Sequence, residues 1–284
     1  SLRAVDWAAD EAALRGAPLR LVYASLWERY EGESLAEDLV TKPSDRLTAE
    51  DVVDIAARRA HHRQPGLKVT TDVVPEEPEY ALVRESREAA AVVLGSRGRS
   101  GFVEMLLGSV GLAVAARALC PVIVLRGSHD NQVRAGSGGR IVIGVGGKEV
   151  VGFALREAGL RGVEVDAVRA WRAPAHESTD HLPPDFARGN PQLSGKPARP
   201  HEREALDTLE EALRDVPEQQ QARVHRRTVE GPARQVLLAA SYTADLLVVG
   251  ARRDTGHLGL QLGRVAHGLL HHAACPVAVV PERT

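Results

Sequence analysis

Short apolar runs alternate along the chain with longer stretches whose apolar positions recur three or four residues apart. The first kind reads as strands and the second as helices. Residues 2–14 have helical spacing and stop at Gly16. Residues 19–24 form a short strand, and residues 47–62 form a helix ended by Pro65-Gly66. A strand over 67–74, a helix over 79–87, a buried strand over 90–94, a helix over 109–119 and a strand over 121–125 follow. The order then returns, with strands over 140–145, 163–168, 223–229, 246–249 and 276–280. Helices over 149–160, 201–215, 233–241 and 265–273 separate them. Strand–helix alternation with apolar strands predicts an α/β, doubly wound architecture: a parallel sheet with helices on both faces.

The return is visible residue by residue. Displacing the chain by 155 positions places Leu94-Gly95-Ser96-Arg97-Gly98 on Val249-Gly250-Ala251-Arg252-Arg253 without a gap. Gly108 falls on Gly263, Val110 on Val265, and Cys120-Pro121-Val122 on Cys275-Pro276-Val277. A period this long signals duplicated domains, not a solenoid. The expected organisation is a first domain over 1–127, a flexible linker over 128–139 containing Gly-Ser-Gly-Gly, and a second domain over 140–284. Polar stretches over 28–45 and 172–200, the latter with six prolines, read as long surface loops.

Copy two opens on the strand Ile141-Val142-Ile143-Gly144-Val145. Copy one opens directly on its helix, where Trp7 matches Phe153 and Arg15-Gly16 matches Arg161-Gly162. The matching strand would lie ahead of Ser1. A doubly wound sheet lacking an inner strand would hold a large void, so the natural chain is expected to start earlier. The last strands of both copies are expected at sheet edges, where apolar edges invite pairing. That pairing would make the two copies an internal pseudo-dimer and leave a homodimer open.

Composition narrows the function classes. With 44% apolar and 26% charged residues, the chain is ordinary for a globular protein, and disorder throughout is excluded. No run of 18 apolar residues exists, so no transmembrane helix is expected. Early acidic residues argue against a signal peptide. A net charge of −2 gives no electrostatic case for nucleic acid or an anionic membrane. The two cysteines, Cys120 and Cys275, each precede a proline and an apolar strand. They read as buried thiols in a reducing compartment, the cytoplasm.

The chemistry concentrates after the strand Val92-Val93-Leu94. There Gly95-Ser96-Arg97-Gly98 is followed, nine residues on, by Gly108-Ser109-Val110. The first two glycines let the backbone turn sharply and approach a ligand. Gly108-Ser109 opens the next helix, whose free N–H groups and positive dipole end suit a phosphate. Arg97 or Arg99 adds charge. In open α/β sheets the ligand crevice lies at the carboxyl ends of the strands, where the winding reverses.

This Gly-x2-Gly-x9-Gly-Ser pattern, followed by a helix and Cys-Pro-Val, resembles the universal stress protein family, and the resemblance runs twice over nearly the whole chain. The resemblance implies five-stranded parallel sheets and, in nucleotide-binding members, ATP between strands one and four, with or without Mg²⁺. It implies that Gly95, Arg97, Gly98, Gly108, Ser109 and Val110 hold ribose and phosphates, and that Ala24 approaches the adenine. The family's Asp at the end of strand one falls ahead of Ser1. It also implies that the last strand mediates dimers.

Copy two departs from the pattern. Arg253 stands for the second glycine, Arg264 for the serine, and Gly146 for the strand-one Asp. A side chain at 253 obstructs backbone approach. The expectation is one nucleotide-binding copy and one degenerate partner. Other features carry less. Gly144-Val145-Gly146-Gly147-Lys148 fits neither the Walker nor the dinucleotide spacing and reads as a strand-to-helix turn. His267 and His271 share a helix face without an evident third ligand, and with His272 they read as surface histidines, as do His61, His62 and His225. Ser109 has no His/Asp pair placed near it, and a capping or phosphate role suffices.

Three functional readings stand at this point. The first is an ATP-binding stress sensor or regulator without turnover, since no general base or carboxylate pair flanks the motif. The second is a slow nucleotide hydrolase on the same scaffold. The third is a nucleotide-free interaction protein.

Overall fold

The computed structural model describes residues 2–26, 48–95, 108–125, 139–172, 199–221, 223–251 and 262–282. In copy one they form α1 (Leu2–Arg15), β1 (Leu19–Ala24), α2 (Ala49–Arg63), β2 (Val69–Val74), α3 (Pro78–Glu85), β3 (Val92–Gly95), α4 (Ser109–Arg117) and β4 (Val122–Leu125). Copy two holds β5 (Arg140–Gly144), α5 (Lys148–Arg161), β6 (Glu164–Trp171), α6 (Arg199–Leu213), α7 (Glu218–Gln221), β7 (Val224–Glu230), α8 (Ala233–Ser241), β8 (Leu246–Ala251), α9 (Arg264–His272) and β9 (Val277–Pro281). Every expected element is present. Helix α6 begins at Arg199, inside the stretch expected to be loop, and the single turn α7 carries no apolar pattern that would have announced it. The expected linker, apart from Gly139, and nearly all of both expected loops lie outside the described residues.

Copy two winds as its alternation predicts. Its strands lie in the order β7-β6-β5-β8-β9, all parallel. The chain moves outward from β5 to β7 and then crosses to β8, so the winding reverses between β5 and β8. Copy one is divided. β1 and β2 form a separate parallel pair, while β3 and β4 pair within the larger sheet. The division falls at the position that β5 fills in copy two.

The two last strands, each expected at the edge of its own copy, pair with each other, as the expected internal pseudo-dimer requires. β4 pairs antiparallel with β9, Ile123 opposite Ala278, and one seven-stranded sheet runs β3-β4-β9-β8-β5-β6-β7. All four residues of β4 are buried because helices cover both faces of this joint. On one face, Val114, Ala115 and Ala118 of copy one pack in the same cluster as Ala266, Leu269 and Leu270 of copy two. On the other, Ala4 and Ile123 join Ile141, Phe153 and Ala278. Each core therefore contains residues of both copies.

Two repeat-related serines each pin the end of one helix to the turn that follows the next helix. Ser86 Oγ donates to the Val83 carbonyl and accepts from the Leu119 N–H, at 2.6 and 3.0 Å. Ser241 Oγ donates to the Leu238 carbonyl and accepts from the Ala274 N–H, at 2.7 and 2.9 Å. Both residues are 1% exposed. Ser241→Ala leaves the part-buried Ala274 N–H without its acceptor and is expected to cost about 1 kcal/mol in urea unfolding. Tyr242→Ala, next to it and 71% exposed, should change little.

The helices that open each copy meet across the pseudo-symmetric joint. Glu11 and Arg15 of α1 correspond, 146 positions on, to Glu157 and Arg161 of α5, and the four side chains form one ionic cluster. Arg15 reaches Glu11 at 2.6 Å and also Glu157, while Arg161 reaches Glu157 at 3.1 Å and also Glu11. Each guanidinium lies over the other copy's aromatic ring, Arg15 at 5.7 Å from Phe153 and Arg161 at 5.4 Å from Trp7. Gly16 and Gly162, with φ of 61° and 68°, end the two helices in the left-handed conformation that glycine adopts freely. Trp7 thus packs against the core, as its helical position predicts.

Candidate functional site

Two of the residues singled out in copy one lie at the carboxyl ends of its strands. Ala24 closes β1, and Gly95 closes β3. Arg97 and Gly98 lie outside the described residues. Gly108 is the N-cap of α4, with φ −63° and ψ 158°, and being glycine it brings no side chain to cap the helix. Ser109 and Val110 are its first two helical residues. The Val110 side chain packs toward the core, so what Val110 can present to a ligand is its backbone N–H. The Ser109 side chain sits on an exposed residue at the helix start. In a β–α–β unit the helix starts near the carboxyl end of the preceding strand, so Gly95 and the start of α4 share one end of the sheet. An uncapped helix start offers oriented donors and a positive dipole end, which together attract an anion.

The backbone at Gly108 does not itself require glycine. Its φ is ordinary for any residue, and a Cβ there would meet no atom within 4 Å. The position is free for substitution as far as folding is concerned, which makes it useful for separating binding from stability.

Copy two carries the matching parts with changed chemistry. Gly263 caps α9 without a side-chain bond, and Arg264 takes the first helical position. Arg253 lies outside the described residues. Gly144-Val145-Gly146-Gly147 forms the turn from β5 into α5, with Gly147 as N-cap. Here the helix start is already in use: the Gly147 N–H donates to Glu282 Oε1 at 2.6 Å. Sequence reading missed Glu282, because it follows the last strand and belongs to no motif.

The remaining candidates are placed as follows. Lys148 is exposed and paired with Asp215. The His267 and His271 rings lie 4.6 Å apart, yet His271 is buried, which corrects its reading as a surface histidine. Among the described residues no group of three His, Cys, Asp or Glu side chains could hold a metal ion. Cys120 and Cys275 are both buried and unbridged. Burial pushes their thiols up to about 11 and about 12, so both stay protonated and unreactive at neutral pH. An open surface depression of about 560 Å³ at the amino ends of β5, β6 and β7 is lined by Arg140, Glu164, Asp166, His225, Arg226 and Arg227. Its charges largely satisfy one another, with Asp166 taking Arg140 at 3.1 Å and Glu164 taking His225 at 3.0 Å. It lies at the opposite end of the sheet from the glycine turns of copy two. Among the described residues no helix is long and apolar enough to cross a membrane.

The sequence profile of the universal stress protein family matches residues 1–126 and 139–281. A universal stress protein of Mycobacterium tuberculosis is 30% identical over 302 residues, covering 98% of this chain and 92% of the relative. One from Mycolicibacterium smegmatis is 28% identical over 298 residues, covering 99% and 92%. Among solved structures, a universal stress protein of Archaeoglobus fulgidus superposes with a TM-score of 0.54 at 17% identity, over 98% of this chain and 92% of that one. A functionally unknown protein of Pseudomonas aeruginosa gives 0.55 at 18% identity, over 95% and 84%.

Proposed function

The chain belongs to the universal stress protein family, matched twice by its profile, and we propose that copy one binds ATP and that the protein acts as a cytoplasmic stress sensor or regulator without turnover. One observation carries this reading. The Gly95-x2-Gly98-x9-Gly108-Ser109 motif ends on a helix start whose N-cap, Gly108, brings no side chain to its first N–H groups, and such a start suits phosphates. Ser109 adds a hydroxyl donor there. Ala24 closes the strand on the adenine side. Copy two has Arg264 in place of the serine and is assigned no nucleotide.

The test is nucleotide content together with titration. The purified protein is denatured, any released nucleotide is identified by chromatography, and ATP is titrated by calorimetry into wild type and Gly108→Asp. Aspartate is a favoured N-cap, so the variant should keep its stability or gain a few tenths of a kcal/mol. It also places a negative charge where the phosphates sit, so binding should fall more than 100-fold. Wild type is expected to take about one ATP per chain. No released nucleotide and no titratable binding in wild type would end the ATP reading.

A further inference from the structure

We infer that Glu282 is the residue that closes copy two to anionic ligands: its carboxylate occupies the crevice between β5 and β8 in place of a ligand's phosphate. This rests on the proposed reading only in taking the crevice as the ligand position.

The crevice lies where the winding of copy two reverses, the position at which open α/β sheets take ligands. Its walls are backbone at Gly146 and Gly147 after β5 and at Gly250 within β8, with a Val150 methyl beside Gly146 and Gly250 and the Glu149 carboxylate beside Gly147. The Glu282 side chain fills the space those glycines leave. A Cβ on Gly146 or Gly250 would fall on its carboxylate, and one on Gly147 would come to 3.4 Å from Oε1. The same oxygen accepts the Gly147 N–H at 2.6 Å, at the start of the fourteen-residue helix α5. A carboxylate bonded to backbone N–H at a helix start makes the interaction that a phosphate oxygen would make there. Tethering removes the association cost that a free anion bears, so a free ligand must displace a partner at high effective concentration.

The repeat supports the assignment from an independent direction. The 155-residue displacement that aligns the two glycine motifs places Glu282 on Gly127. The copy that keeps the full motif has no side chain at that position, and the copy that lost the glycine at 253 and the serine at 264 carries the carboxylate. Arg264 at the start of α9 leaves copy two with positive charge beside the crevice. Opening the crevice therefore exposes a site for a phosphate-bearing anion.

The experiment uses the full chain as wild type, Glu282→Ala, Gly108→Asp and the double variant. Each is titrated with inorganic pyrophosphate and with ATP by calorimetry, and its fold is checked by circular dichroism and melting temperature. Glu282→Ala is expected to gain a pyrophosphate site at least tenfold tighter than any in the same background with Glu282 intact. The gain should persist in the double variant, where copy one is silenced. If wild type binds no ATP yet Glu282→Ala gains the pyrophosphate site, the copy-one reading falls and the Glu282 assignment stands. A folded double variant that binds neither probe would overturn the assignment, as would wild type binding two ATP per chain. Should Glu282→Ala not fold, Glu282→Gln keeps an acceptor for the Gly147 N–H while removing the charge, and the same outcomes decide.

Discussion

Arg161→Ala is expected to cost the folded chain about 3–5 kcal/mol at pH 8, read as a lower urea midpoint with an unchanged slope. Glu11 is 4% exposed and Glu157 is 0% exposed, and Arg161 touches both. Removing the guanidinium leaves two buried carboxylates facing each other with Arg15 alone between them. It also uncovers the Trp7 ring. The cost comes from leaving charge uncompensated, not from the net worth of the pairs, which burial itself penalises. Replacing Glu157 by Leu and Arg161 by Met together should therefore recover most of the loss, because Glu11 and Arg15 remain paired at 2.6 Å. A double variant as unstable as Arg161→Ala would show that packing, not charge, holds this joint.

The same cluster sets a pH dependence with a defined sign. Burial, reinforced by the charge of Glu11, pushes the Glu157 carboxyl from 4.5 up to about 7. The folded chain then holds a proton that the unfolded chain has already released. Stability attributable to Glu157 is complete below about pH 4.5, falls as pH rises toward 7, and is level above that. The fall is bounded at about 3.5 kcal/mol by the free energy of about 1.4 kcal/mol per pH unit. The difference between wild type and Glu157→Gln isolates this contribution, since other carboxylates cancel. Arg161→Ala should also cost less at pH 5 than at pH 8, because a protonated Glu157 leaves no second charge to compensate.

The cluster shows how legibility divides between sequence and structure. The elements were readable because alternating apolar runs and helical spacing report burial locally. The glycine motif was readable because its spacing is fixed by a turn and a helix start. The Glu-x3-Arg pattern also stood in the sequence at both Glu11–Arg15 and Glu157–Arg161. The 146-residue match that aligned Trp7 with Phe153 contained it. What was missing was the geometry: only the antiparallel meeting of β4 with β9 brings α1 and α5 together, and an apolar run announces burial without naming its partner. Ser86 and Ser241 were likewise present in the 155-residue match. Glu282 was harder, since a single acidic residue after a strand is ordinarily solvated. Only the surrounding glycines reveal that it turns inward.

The largest effect is expected at the joint itself. Ala278 is 0% exposed in β9, opposite Ile123 of copy one and Val248 of copy two. Ala278→Asp puts an unpaired carboxylate among Ile123, Ile141 and Phe153, with no room for its added volume. A loss of about 4 kcal/mol or more is expected. Because both cores contain residues of both copies, the loss should not be confined to copy two. Trp7 of copy one and Trp171 of copy two serve as separate reporters once the other tryptophans are replaced by Phe. In otherwise wild-type protein both should report the same urea midpoint, as one cooperative unit does. In Ala278→Asp both midpoints should move down together. A Trp7 midpoint that stays in place while Trp171 shifts would show that copy one draws its stability from its own residues. The seven-stranded sheet would then be a contact between two independent domains and not a single folding unit.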